Sequence, residues 1–209
     1  RVVLNDAGES PNVHFAYFDT GTIPVVIGLS NLPATPNGKK SPEHPGPSSG
    51  YVVYCEGGRF EGQRGRARAY DPDGKVMREF RGNGDVKHQQ NFIDAIRTQD
   101  RTLLNAEVAV GNDSTGWCNL ANVAVRCGTS FSEEATQAIN LPQWQQLLQE
   151  MGQHLKAHAL EFSDQSIRLS PMLELNTETE QFEGQYSSTA NQFLKREYRS
   201  DYQVPEVKI

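Results

Sequence analysis

Ala67-Arg68-Ala69-Tyr70-Asp71-Pro72-Asp73-Gly74-Lys75-Val76-Met77-Arg78-Glu79-Phe80 reads as strand, turn and strand in one continuous stretch. The tetrad Asp71 to Gly74 carries proline at its second position, where a fixed φ suits a type I turn, and glycine at its fourth. Working upstream, Tyr51-Val52-Val53-Tyr54-Cys55 is β-rich and predicts a third strand. His14-Phe15-Ala16-Tyr17-Phe18 and Ile23 to Leu29 predict two more, joined in a hairpin at Asp19-Thr20-Gly21. Between these groups, residues 33–50 hold five prolines and three glycines. A stretch so poor in ladder donors cannot be a core strand, and it is expected to be a surface insertion or lid.

Downstream the period changes from two to 3.6. Phe92, Ile93 and Ile96 give Val86 to Thr98 one apolar helical face. Trp117, Leu120, Ala121, Ala124 and Val125 do the same for Ser114 to Arg126, with Asn112 or Asp113 as the expected N-cap and Gly128 just past the end. Pro142 to Ala157 has proline near its first turn and Trp144, Leu147, Leu148, Met151 and Leu155 on one stripe. The tail from Leu169 predicts a short strand at Met172 to Leu175, a short helix at Ser188 to Lys195 and an extended end. Strands first and helices afterwards imply an α+β fold, an open and largely antiparallel sheet with helices packed on one face. The other face is then wet or covered by a partner. The expected division is a core sheet domain at 1–128 and a helical extension with tail at 129–209, packed on the same domain.

The charge balance excludes some functions. With 209 residues, a net charge of −6 and a pI near 5.4, the chain lacks the clustered basic excess of a nucleic-acid binder. No apolar run reaches the ~20 residues of a membrane-spanning helix, so no membrane partner is expected. Cys55, Cys118 and Cys127 are too few and too widely spaced for a disulfide framework and are expected to be buried small hydrophobes. The sequence opens Arg1-Val2-Val3-Leu4 without methionine, as expected of a processed product or an excised piece. Its compartment, cytoplasm or periplasm, stays open on this reading.

Few residues suggest chemistry. Gly82-Asn83-Gly84 stands between a strand and a helix, but Lys87 occupies the place of the third glycine of a dinucleotide fingerprint, so a plain turn is expected. His154 and His158 are four apart without a third ligand and read as a solvated pair. Asp71 and Asp73 belong to the turn, since Gly74 comes too early for a calcium loop. No nucleophile motif is present. His88, with Asp85 and Lys87, opens a helix after a glycine-rich loop, where an imidazole could bond a ligand or move a proton at neutral pH, although a capping or surface histidine is the plainer expectation. These three are the candidate substrate-binding residues. Arg59, Arg64, Arg66 and Arg68 would suit an anionic ligand, but a solvated strand edge is the plainer expectation.

Several segments occur in a familiar order. Tyr70-Asp71-Pro72-Asp73-Gly74-Lys75 is followed by Gly84-Asp85 and His88, Asn91-Phe92-Ile93-Asp94-Ala95-Ile96-Arg97, Leu104-Asn105-Ala106-Glu107-Val108, Val110-Gly111, and Cys118-Asn119-Leu120-Ala121-Asn122 up to Arg126-Cys127-Gly128. The tail adds Leu175-Asn176-Thr177-Glu178-Thr179-Glu180-Gln181-Phe182, Arg196-Glu197-Tyr198-Arg199 and Val204-Pro205-Glu206. This ordered set resembles the C-terminal α/β domain of the glucose-fructose oxidoreductase/inositol dehydrogenase/MocA family, in the bacterial branch abundant in planctomycetes. The resemblance implies a two-domain parent. An N-terminal Rossmann domain, outside this sequence, would bind NAD or NADP and carry the Glu-Lys-Pro lysine, while this half shapes the pocket for a sugar or polyol and builds a homo-oligomer through its sheet face. Asn112-Asp113-Ser114 and Asn119-Leu120 stand where many members have histidines, so no role of those histidines carries over. An NAD-dependent glycoside hydrolase and a non-catalytic scaffold are the alternatives.

Overall fold

The computed structural model describes residues 10–42, 46–82, 87–163 and 167–203. Its first strands are β1 (Val13–Phe18), β2 (Val25–Ser30), β3 (Tyr51–Cys55), β4 (Gly58–Gln63), β5 (Arg66–Tyr70) and β6 (Val76–Arg81), followed by α1 (His88–Thr98) and α2 (Val108–Cys127). Then come β7 (Thr129–Ser130), α3 (Glu133–Gln137), α4 (Pro142–Ala157), β8 (Arg168–Leu169), β9 (Glu174–Asn176), β10 (Gln181–Glu183) and α5 (Ser187–Asn191). The fold is α+β with open antiparallel sheets and helices, as the strand-then-helix order predicts. Two compact units are formed, Arg1–Asp113 with Ile139–Phe162, and Ser114–Ala138 with Ser163–Ile209.

In the first unit, β1 and β2 form the expected hairpin, with Phe15 opposite Gly28. The Phe15 ring lies over that glycine so closely that a Cβ there would stand 2.6 Å from the ring. Strands β3 to β6 form a four-stranded meander in sequence order, and the same device recurs: Tyr51 lies over its cross-strand partner Gly62. An aromatic ring thus covers backbone that a glycine leaves bare. The Asp71 turn is as expected, with the Gly74 N–H bonded to the Asp71 carbonyl at 3.0 Å and Gly74 in the left-handed region at φ 81. Strand β4 was not expected, because Gly58 and Gly62 dilute its β-propensity.

Helix α4 begins with Pro142 in its first turn, where the missing N–H is harmless. Its apolar stripe is used as predicted. Leu155 is 1% exposed, and Trp144 packs edge-on against Tyr17 of β1 at a centroid distance of 6.1 Å. Helix α2 starts six residues before the expected Ser114, so Asn112 and Asp113 lie inside it and do not cap it. Glu107 explains the early start. Its carboxylate accepts the Ala109 N–H at 2.9 Å and is held by Arg101 at 2.5 Å. The Ala109 N–H and then Arg101 keep this carboxyl below its ordinary pKa.

In the second unit, Val123, Cys127, Phe182 and Ala190 form the core, with Leu120, Leu175, Phe193 and Leu194 packed around them. Asn191 closes it with a reciprocal pair of bonds. Its Oδ1 accepts the Phe182 N–H at 2.8 Å while its Nδ2 donates to the Phe182 carbonyl at 3.0 Å. The expected tail strand is the hairpin β9–β10, and the tail helix is the shorter α5.

Candidate functional site

Lys87 and His88 sit where the sequence puts them. Lys87 precedes α1 without bonding its N-terminus through its side chain, and His88 is the first helical residue; both are exposed. Asp85 lies outside the described residues, as do Asn83 and Gly84 of the glycine-rich loop. The apolar side of α1 is present but faces outward, with Phe92 and Ile96 each 58% exposed. Only Ala95 of this helix is buried.

The four-stranded sheet has two unlike faces, and the strand register assigns the paired residues to one or the other, Met77 being left out by a bulge in β6. On the first face, Tyr51, Gly62, Ala67 and Phe80 lie across the strands in one row, and Val53, Phe60, Ala69 and Arg78 in the next. The rings touch: Tyr51 to Phe60 at 6.2 Å and Phe60 to Phe80 at 5.7 Å. The Arg78 guanidinium caps the end of the series, 4.8 Å above Phe80. This apolar surface is not sealed. Tyr51 is 57% exposed, Val53 47% and Phe80 38%. Cys55, on the same face of β3, is also exposed, as is Cys118, so of the three cysteines expected to be buried only Cys127 is. Burial in the second unit's core pushes the Cys127 thiol pKa up.

The second face is charged. Glu61, Arg68 and Glu79 make one row across β4, β5 and β6, with Arg68 bonded to Glu79 at 2.8 Å. In the neighbouring row Arg59 reaches along its own strand to Glu61 at 2.7 Å and stacks over Tyr70 at 4.2 Å. The hydrogen bond that Arg59 donates to Glu61 raises the Arg59 pKa, and that of Arg68 is raised by Tyr70 first and Glu79 second. The third row holds Gln63, Arg66 and Arg81. The arginine series is therefore no strand edge. Arg59 lies on β4 and Arg66 and Arg68 on β5, both inner strands of the sheet. The sequence hides this because the glycine-containing β4 does not read as a strand.

His154 and His158 are not a solvated pair. Their rings stand edge to face at 5.1 Å, and both Nε2 atoms lie 2.8 Å from one oxygen, the Pro33 carbonyl. A carbonyl only accepts, so both rings carry their proton on Nε2 and donate it to this oxygen. His154 is 7% exposed. The pair thereby ties the start of the proline-rich segment to α4, and buried Leu32 anchors the chain just before it. Donors pointing inward at a shared oxygen are unlike a metal chelate, and among the described residues no group of three or more His, Cys, Asp or Glu is arranged to hold a metal ion. No described helix is long and apolar enough to cross a membrane.

No family model matches the chain, and neither a curated protein nor a solved structure matches it.

Proposed function

We propose that this chain is the substrate-binding and oligomerisation part of an NAD(P)-dependent oxidoreductase acting on a sugar or polyol, with NAD or NADP held by a Rossmann domain outside these 209 residues. The oxidoreductase half of this reading rests on the ordered segments from Tyr70 to Glu206 and their family resemblance. The assembly half rests on one observation, the unsealed row of Tyr51, Phe60 and Phe80 on the first sheet face. A twofold interface places the same patch of both subunits against each other, so a second copy is the occupant that would cover this row in both partners at once. In the reaction the nicotinamide carries the hydride. This chain's share is to hold and orient the substrate, with Asp85, Lys87 and His88 offering an acceptor, a cation and an imidazole for hydroxyl groups.

Sedimentation velocity on the 209-residue chain tests the assembly half. A dimer is expected, with Phe80→Glu shifting it to monomer, and a wild-type monomer at every concentration refutes it. For the oxidoreductase half, calorimetry is expected to find no NADH binding by the chain alone. The gene upstream of Arg1 is expected to encode a glycine-rich dinucleotide fingerprint and the Glu-Lys-Pro lysine. Micromolar NADH binding by the chain itself refutes the assignment of the cofactor to another domain.

A further inference from the structure

On the polar sheet face the third row is built unlike the others. Arg66 and Arg81 are direct cross-strand partners, with Cα atoms roughly 4.5–5.5 Å apart in such a pair. Like charges placed this way destabilise a sheet. The adjacent rows avoid the problem by setting Arg68 between Glu61 and Glu79 and Arg59 against Glu61. In the third row the available neighbour is neutral, since the Gln63 amide oxygen accepts from the Arg66 guanidinium. Among the described residues Arg66 and Arg81 have no carboxylate partner, and both are exposed. Across the face, Arg59, Arg66, Arg68 and Arg81 oppose Glu61 and Glu79, a surplus of two positive charges that falls at this end. Arg64 stands beside it in the turn between β4 and β5.

We infer that the paired guanidiniums of Arg66 and Arg81 form a binding site for a dianionic phosphoryl group. A surplus of two charges matches a phosphate monoester, which carries ~1.5 to 2 negative charges at neutral pH, better than a single carboxylate. A guanidinium donates parallel N–H bonds to such an oxyanion, and with Arg66 Nε and Nη2 turned to Gln63 its Nη1 edge and the Arg81 fork on the neighbouring strand are the donors left for it. The anion relieves the repulsion between the arginines, so the site is kept open by the misfit it leaves in the free protein. The chain's overall charge of −6 opposes a long polyanion and favours a small ligand.

Inorganic phosphate is the probe. It is titrated into the ¹⁵N-labelled 209-residue chain at ionic strength held constant with chloride, and the arginine Nε–Hε and strand amide resonances are read. Saturable shifts centred on Arg66 and Arg81 are expected. Arg66→Gln and Arg81→Gln are each expected to weaken binding about tenfold, the loss of a charge-assisted hydrogen-bonding fork. Arg78→Gln, on the opposite face, is expected to leave it within about twofold. Without phosphate, Arg81→Gln is expected to raise the melting temperature, because it removes the like-charge pair. Shifts that never saturate, that spread evenly over the arginines, or that survive Arg81→Gln overturn the assignment. So does a melting temperature that falls in that variant.

Discussion

His154 in α4 and His158, the residue that follows the helix, invite a double-mutant cycle, because they share one acceptor. His154→Phe and His158→Phe each keep a ring of similar size and remove the donor to the Pro33 carbonyl. After either single change the oxygen retains its other partner, so each loses the net worth of one hydrogen bond, about 1 kcal/mol. Removing both leaves a half-buried carbonyl with no protein partner, which adds a desolvation penalty of about 1–3 kcal/mol. The double variant is therefore expected to lose about 3–5 kcal/mol, and the coupling of about 1–3 kcal/mol is the signature of a shared oxygen. Urea unfolding followed through Trp144, which sits on the same helix, measures the global cost. Hydrogen exchange at the Ala34 amide, bonded to the Lys40 carbonyl at 2.8 Å, reports whether the proline-rich segment has come loose. Additivity within about 0.3 kcal/mol would mean that the two rings act independently and would refute the clamp.

Two further outcomes are expected. Burial lowers the pKa of His14 in β1 from its ordinary value of 6.5, so the unfolded chain takes up the proton first. Stability should fall as pH drops below 6.5 and level off once the folded His14 also titrates, and His14→Leu should flatten that part of the curve; an unchanged slope refutes the contribution. Asn191→Ala should cost about 2–4 kcal/mol, since it orphans both the N–H and the carbonyl of Phe182. Loss of protection at the Phe182 amide is the local check, and a cost below about 0.5 kcal/mol would mean that water replaces the clamp.

What the residues reveal in advance follows the range of the forces involved. Tyr51–Cys55, the Asp71 turn and Pro142–Ala157 are legible because alternation, turn chemistry and a 3.6-residue stripe are local. Strand β4 is hidden because its glycines are chosen for the ring that covers one of them, a cross-strand matter. The early start of α2 depends on Glu107 folding back with Arg101, against a run of Gly111, Asn112 and Asp113 that disfavours helix. His154 and His158 announce themselves by spacing, yet their acceptor lies more than a hundred residues away. Of the candidate site, Lys87 and His88 could be placed by the helix start. The sorting of arginines into paired and unpaired rows needed the register of all three strands.

The meander from β3 to β6 has a consequence in time. Each of its strands pairs with the next one along the chain, and two of the three connections are two-residue turns, Glu56-Gly57 and Arg64-Gly65. Closing such short loops takes little entropy, and contacts of low sequence separation form early. All four strands precede α1 in the chain. The meander can therefore pair up ahead of the helices, and its aromatic row is open to neighbouring copies from that moment.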